Sequence, residues 1–406
     1  MSTNNKASIA LAGSLCLGLA AAQASAELQW NGFITAGGGM ASEDGLFGYE
    51  EDLTFNNESI LGLQLTGDIS DKLSATGQIV ARGDEDMEVD VSWAYLSYKA
   101  TDKTTLRLGR FRTPFYLYSD FLEVGYAYHW ISPPNDVYSL PADSIDGFDV
   151  VYNTPLGATD FTAQFYGGSV DSEFTVSGEP VETDIRNQAG LALTLNWEWL
   201  TLRASHHYAA KVNFVGLEDA PIPVVGSIGA LQDGLETLTA VTGDQGYAQA
   251  ASNLSVEDVE YTFDEIAIKI EWNNILFVAE ATELKAESGL TDQQNRNYVS
   301  LGYNIGPVLL HVTQSRADDD VAAIADTITV LDPGVWGAEL SAQSAGAKLA
   351  VNGLAERFAV VDRTTNTLGV RWDFTPGAAF KIEGSDVDYD DGTSGQIYRF
   401  VIDAVY

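Results

Sequence analysis

Apolar and polar residues alternate along most of the chain in segments of about ten residues, the period and length of tilted strands that cross a bilayer. Ile266, Ile268 and Ile270 share one face of such a segment, while Lys269 and Glu271 take the other. Aromatic residues stand at the ends of the apolar faces, as in the interfacial girdles of membrane barrels. They include Trp197, Trp272, Trp372, Phe374 and Tyr406. The pattern predicts an all-β fold.

The connections between these segments alternate between short turns and long loops. The turns are expected near residues 70–72, 101–103, 155–159, 196–198, 273–274, 305–307 and 375–377. The loops are expected near residues 40–57, 83–88, 113–146, 168–184, 210–260, 285–295, 317–362 and 387–395. Seven turns and eight loops make fifteen connections, hence sixteen strands, an even count typical of outer-membrane barrels. We predict a transmembrane antiparallel up-and-down β-barrel of about 16 strands, with short helices in the Ala-rich stretches 218–250 and 338–350. A secreted all-β protein is the alternative.

The first 26 residues have the features of a secretory signal peptide. An apolar stretch over residues 9–22 precedes Ala24-Ser25-Ala26, an A-x-A cleavage signal. This predicts cleavage before Glu27 and a barrel domain over residues 27–406. Beyond residue 26 no apolar run approaches the ~18 residues that a membrane-spanning helix needs.

The chain is strongly acidic, with 58 Asp and Glu against 21 Lys and Arg and a net charge of -37. This excludes nucleic acid as a partner, because phosphate binding needs clustered cations. The acids crowd the long loops, which indicates either a solvated rim or a negative vestibule that concentrates cations. Asp386, Asp388 and Asp390 are a weak calcium candidate, since Asp391 and Ile397 stand where an EF-hand loop needs Gly and Glu. No other metal and no cofactor is expected.

Strand alternation places a mixed set of charges on the face opposite the apolar side chains. Such an interior is costly to bury dry and indicates a water-filled lumen, which a barrel of this size is wide enough to hold. The lumen-lining residues predicted in this way are Arg203, Lys269, Glu271, Arg371, Lys381, Arg399 and Asp403.

The third loop, residues 113–146, is rich in aromatic and acidic residues and has no Lys or Arg. We expect it to pack against the inner wall and narrow the channel, with its acids either facing the wall's arginines across a gap or pairing with them. The predicted constriction residues are Arg82, Arg107, Arg110, Arg112, Asp120, Glu123, Asp143 and Asp146. Arg110 and Arg112 share the parity of Leu106 and Leu108, so they reach the lumen only if Gly109 forms a bulge, unless this strand lies in a subunit interface.

These features resemble those of the general, trimeric porins of Gram-negative bacteria, in the branch seen in marine gammaproteobacteria. The similarity covers residues 27–406, and its sharper marks are residues 108–112 (LGRFR), residues 124–130, Pro133-Pro134, residues 146–149 (DGFD) and a C-terminal strand that ends in the aromatic Tyr406. The resemblance implies a homotrimer in the cell outer membrane, in contact with lipid and lipopolysaccharide. It also implies a third loop folded into each barrel and passive diffusion of small hydrophilic solutes and ions.

Other functions remain as alternatives. A substrate-specific channel for sugars or small organic acids is the first, because third-loop aromatics are suited to stacking on rings. A hydrolase that uses His206 or His207 is disfavoured by the absence of a G-x-S-x-G or H-E-x-x-H motif, so no enzyme activity is expected. An adhesin that uses the fifth and seventh loops is the third. The acidic loops favour a weak preference for cations.

Overall fold

The computed structural model describes residues 28–406 except 141, 177–178, 220–225, 288, 290 and 359–361. The predicted signal peptide, residues 1–26, and its cleavage site lie outside the described residues. Among the helices described, none is long and apolar enough to cross a membrane.

Sixteen strands form one closed antiparallel barrel, in which each strand pairs with its neighbours in sequence. Pairing of the first and last strands, from Phe33 opposite Val405 to Ala41 opposite Ile397, closes the barrel. This confirms the predicted fold class and strand count. The strands are β1 (Leu28–Ala41), β2 (Ile60–Ser70), β3 (Leu73–Arg82), β4 (Val89–Lys99), β5 (Thr104–Arg112), β6 (Ser144–Leu156), β7 (Thr159–Val176), β8 (Glu179–Trp197), β9 (Leu200–Val215), β10 (Val259–Trp272), β11 (Ile275–Ala286), β12 (Thr291–Ile305), β13 (Val308–Val321), β14 (Arg363–Thr375), β15 (Ala378–Tyr389) and β16 (Ser394–Val405).

Side chains along the strands alternate between an exposed apolar face and a buried face that carries charge. On β10, Ile266 is 65% exposed and the adjacent Glu265 is 1% exposed; on β16, Ile402 is 49% exposed and Asp403 is 1% exposed. An apolar exterior around a polar interior is typical of barrels whose outer surface meets lipid. In the closed barrel each described strand pairs with a neighbour on both sides, so none of them is an edge strand of the sheet.

All seven predicted turns lie where the structure joins two strands. The predicted loop at residues 168–184 is wrong, because β7 continues to Val176 and β8 begins at Glu179. The loops predicted at 285–295 and 387–395 are also shorter than expected. In β7 and β8 the paired strands continue with polar residues on both faces, for example Asp171 on β7 and Glu182 on β8. The alternation of apolar and polar residues is lost there, but the backbone pairing persists.

The β9–β10 and β13–β14 connections fold into helices, which confirms the helices predicted in their Ala-rich stretches. Leu235, Tyr247 and Val351, which come from both connections, are 0% exposed and belong to one apolar core. We call these helices and their core the helical unit. Its members are α1 (Ile228–Thr242), α2 (Gln245–Asn253), α3 (Pro333–Trp336) and α4 (Ala338–Phe358), and α4 is longer than the sequence pattern predicts.

Candidate functional site

The connection from β5 to β6, residues 113–143, contacts strands far from its own ends. We call it the β5–β6 segment. The Glu280 carboxylate on β11 accepts hydrogen bonds from the Leu117 backbone N–H at 2.9 Å and the Tyr138 hydroxyl at 2.6 Å. The Trp130 indole N–H donates to the Thr313 hydroxyl on β13 at 2.8 Å. The segment is therefore attached to strands that are not neighbours of β5 or β6 in the barrel order.

Charged wall residues satisfy the backbone of this irregular segment. Lys381 Nζ on β15 donates to the carbonyl oxygens of Gly125 at 2.6 Å and Trp130 at 2.5 Å. Arg371 on β14 donates to the carbonyl oxygens of Tyr126 at 2.9 Å and Tyr128 at 2.6 Å. An irregular backbone lacks internal partners, so these side chains supply hydrogen bonds that a helix or strand would supply to itself.

Aromatic side chains of the segment form a buried layer against strands β10–β13. Tyr118 meets Trp130 edge to face with ring centroids 5.6 Å apart, and Trp130 meets Tyr298 of β12 at 5.3 Å. Further members of the layer are Phe115, Tyr116, Tyr128, Phe263, Leu276, Val278 and Leu309. Apolar side chains of β10–β13 therefore pack against the segment.

Four predicted constriction residues meet at one point. The Glu123 carboxylate lies 2.6 Å from Arg82 Nη2 and 2.9 Å from Arg112 Nη2, and Asp143 also pairs with Arg112. Arg82 and Arg112 thus contact the acids of the segment directly and do not face them across a gap. Burial raises the pKa of Glu123, but the charge of Arg112 and the charge and hydrogen bond of Arg82 outweigh burial and hold the pKa below its ordinary value.

The remaining constriction candidates lie on two faces of β5. Arg107 pairs with the buried Asp149 of β6, Nε to Oδ1 at 2.9 Å. Arg110 pairs with Asp146 at 2.7 Å on the face that carries Leu108, which is 64% exposed.

The bulge considered at Gly109 is absent. Although Gly109 has a φ of 131°, the register between β5 and its neighbours β4 and β6 continues through it without a shift. Alternation therefore holds through Arg110, which lies on the same face as Leu108. It ends at Arg112, which has the same parity but is 3% exposed and binds the acids of the segment. Asp120, on the β5–β6 segment, is exposed.

The predicted lumen-lining residues form ion pairs with charged residues of their own strand or of neighbouring elements. Lys381 lies 2.8 Å from Asp403, and both are almost completely buried. Arg399 pairs with Glu383 at 2.5 Å and with Glu58 at 3.2 Å. The other pairs are Lys269 with Glu271 at 2.8 Å, Arg203 with Glu265 at 3.4 Å and Arg371 with Asp373 at 2.8 Å.

A cavity of about 630 Å³ opens between β1–β3 and the β5–β6 segment. We call it the vestibule. Its charged lining, among the described residues, consists of Arg82, Arg399, Glu58, Asp84, Asp86, Glu123 and Asp143. Five acids against two arginines give this opening an excess of negative charge.

Three groups that hold the segment are not among the predicted site residues. These are Glu280, the Arg296–Asp319 pair at 2.8 Å and Arg363, whose Nε lies 2.5 Å from Asp136 of the segment. For Glu280 the sequence does carry a signal. Apolar residues occur on both faces of its strand, β11, a pattern that indicates a strand packed on both sides.

The calcium and catalytic candidates have ordinary partners. Asp386 accepts a hydrogen bond from Gln396 at 2.9 Å, and Asp390 lies 3.8 Å from Arg316. Asp388 is exposed, and no group of three or more His, Cys, Asp or Glu side chains that could hold a metal occurs in the described parts of the chain. His206 and His207 have opposite environments, with His206 exposed and paired with Asp264 and His207 only 2% exposed.

Comparisons with known proteins identify the fold. No protein-family model matches the chain, and no curated protein matches it. Among solved structures, the outer membrane channel DcaP of Acinetobacter baumannii is 12% identical and matches with a TM-score of 0.56 over 95% of this chain and 99% of that one. OmpT of Vibrio cholerae is 11% identical, with a TM-score of 0.55 over 93% and 97%. OmpF of Salmonella typhi, in complex with daunomycin, is 11% identical, with a TM-score of 0.52 over 94% and 98%. The chain therefore shares the fold of these outer-membrane proteins.

Proposed function

We propose that the chain is an outer-membrane porin of a Gram-negative bacterium, forming a water-filled channel for passive diffusion of small hydrophilic solutes and ions. The observation that carries this proposal is a closed barrel of 16 strands with an apolar exposed exterior and a charged inner wall. An ionised group buried without water or a partner costs several kcal/mol, so a charged interior favours a wet lumen. The description of DcaP as an outer membrane channel supports the same function.

In this proposal the β5–β6 segment lies within the lumen and narrows it. The hydrogen bonds to β11, β13, β14 and β15 support this position, because a connection reaches distant strands of a closed barrel most directly through its interior. The narrowest part then lies beside Arg82, Arg112, Glu123 and Asp143. Of the other predicted constriction residues, Arg107 is proposed to act as a wall charge at a distance and Asp120 as an exposed charge of the segment. Arg110 and Asp146, which pair with each other on the face of Leu108, lie outside the proposed constriction.

We propose a weak preference for cations. The vestibule supports this, with five acids against two arginines in its charged lining. Fixed negative charge at a pore entrance raises the local concentration of cations.

We also propose a homotrimer in contact with outer-membrane lipid and lipopolysaccharide. One OmpT structure of Vibrio cholerae is described as a trimer form, and it matches this chain with a TM-score of 0.52 at 12% identity. The exposed apolar outer face supports lipid contact.

A channel specific for sugars is less well supported. Tyr116, Tyr118 and Trp130 pack in the buried layer, and none of the three is in the described lining of the vestibule, so they offer no stacking surface to a sugar there.

Current through single channels in a planar bilayer tests the proposal. Purified protein is added under a salt gradient, and conductance in three steps with a reversal potential that favours cations is expected. A potential that favours anions would overturn the selectivity, and single steps would overturn the trimer. No current from correctly assembled protein would overturn the channel itself.

A further inference from the structure

A second cavity, of about 280 Å³, lies between the β5–β6 segment and strands β8–β12. We call it the side pocket. Apolar side chains form much of its lining, including Phe115, Leu140, Val212, Phe263 and Leu284. The rings of Phe115 and Phe263 meet edge to face with centroids 5.3 Å apart. The pocket therefore offers aromatic surface to an occupant.

Three buried polar atoms of residues that line this pocket have no hydrogen-bond partner in the described part of the chain. They are Nε2 of His207, Oε1 of Gln188 and Oγ1 of Thr183, on side chains that are 2%, 5% and 4% exposed. The opposite ring nitrogen of His207 is engaged, with Nδ1 2.8 Å from the Tyr166 hydroxyl. Because buried polar atoms are nearly always paired, three unpaired ones around a single cavity indicate a partner that the chain does not supply.

The charges around the side pocket disfavour an ionic occupant. Its described lining has no Asp or Glu, although the chain holds 58 of them. The one Lys or Arg in the described lining, Arg296, is already engaged by Asp319 at 2.8 Å. A charged ligand would lose its water there without gaining a free counter-ion.

We propose that the side pocket binds a compact, uncharged aromatic solute that carries a hydroxyl or amide group. The ring packs against Phe115 and Phe263, and the polar substituent bonds His207, Gln188 or Thr183. The volume is near the lower end of the roughly 300–1,000 Å³ that is usual for small-molecule sites, so the solute is small. The inference rests on the proposed function, because the channel provides the route by which the solute reaches the pocket.

Titration calorimetry on the full chain in detergent micelles tests this proposal, with 4-hydroxybenzamide as the probe. Saturable binding of one molecule per chain is expected. 4-Hydroxybenzoate, which has the same shape but carries a carboxylate at neutral pH, is expected to bind at least about tenfold more weakly. Equal binding of the two compounds would overturn the preference for an uncharged solute.

Three variants locate the site. His207→Phe keeps a ring but removes the unpaired nitrogen and should weaken binding by about fivefold, the value of one net hydrogen bond. His206→Phe is the matched control, because His206 is exposed on the other face of the same strand, and it should bind as the parent does. Leu284→Trp fills the cavity and should abolish binding.

Each result has one meaning for the proposal. No saturable binding by folded parent protein, or binding that Leu284→Trp leaves intact, overturns the side pocket as a site. If His207→Phe does not fold, Leu284→Trp still decides. Conductance without binding removes this inference and leaves the channel, whereas binding without conductance removes the channel and leaves the pocket.

Discussion

The β5–β6 segment and the helical unit are both long connections, yet different forces hold them. The segment is irregular, and charged side chains of the wall such as Lys381 and Arg371 bind its backbone. The helical unit satisfies its own backbone and is held by an apolar core that includes Leu235 and Tyr247. One connection thus depends on polar partners outside itself, and the other depends on burial of its own side chains.

This difference determines how each region responds to substitution. A helix needs only an apolar face and a partner for it, so many contacts share the stabilisation. An irregular segment needs specific partners for individual carbonyl and N–H groups, so a single wall residue carries a large share. Two substitutions test this difference. One places a charge in the apolar core of the helical unit, and the other removes a charge that holds the β5–β6 segment.

The largest effect is expected from Leu235→Asp in α1. Leu235 is 0% exposed, and a carboxylate placed there without a partner costs several kcal/mol, enough to open the helical unit. Hydrogen exchange measured by mass spectrometry should show loss of protection in α1, α2 and α4 while the barrel strands stay protected. Val241→Asp is the matched control, because Val241 lies in the same helix and is 52% exposed. Loss of protection throughout the barrel would contradict the independence of the two regions.

A smaller but still strong effect is expected from Lys381→Met. Lys381 is 0% exposed, and its removal leaves the Asp403 carboxylate and the carbonyls of Gly125 and Trp130 without this partner. Removal of one member of a buried ion pair typically costs about 3–5 kcal/mol, so the segment should detach in part. Single-channel conductance should rise and fluctuate.

Lys269→Met provides the control for this change. Lys269 is also a lysine of the inner wall, but its partner Glu271 is exposed, and an ion pair of that kind contributes only about 0–1 kcal/mol. Its conductance should stay close to that of the parent. Equal effects of the two substitutions would contradict a special role of Lys381 in holding the segment.

The barrel and its turns could be predicted from the sequence because both follow local rules. A strand that separates lipid from a charged interior must alternate, as Ile266 and Glu265 do, and each turn interrupts that alternation. The continuation of β7 to Val176 could not be predicted in this way. There both faces carry polar residues, and only pairing with β8 keeps the strand extended.

The candidate site was predicted less completely, because its geometry depends on contacts between residues far apart in the sequence. Parity assigns Arg82 and Lys381 to the face that carries charge, but it could not show that Lys381 binds the carbonyl of Gly125. Glu280 was missed because its partners, the Leu117 backbone N–H and the Tyr138 hydroxyl, belong to a segment that is distant in the sequence. Arg110 follows plain alternation without a bulge, whereas Arg112, which has the same parity, is 3% exposed and binds Glu123, a contact that alternation could not show.

The smallest effect concerns the pH response of Glu123, at the point where the segment meets Arg82 and Arg112. Its pKa is held below the ordinary value of 4.5, so the ion pairs stabilise the attached segment fully above that pH and weaken only as pH falls through the lower, folded-state value. Single-channel conductance should therefore show no Glu123-dependent change between pH 7 and pH 5, and a change of less than about twofold below pH 4.5. In Glu123→Gln this acid-dependent component should be absent, whereas Asp120→Asn, which alters an exposed acid of the same segment, should retain it. The contradicting outcome is a change in conductance between pH 7 and pH 5 that is absent in Glu123→Gln. It would mean that the arginines do not control this carboxyl and that something other than charge holds the segment at this point.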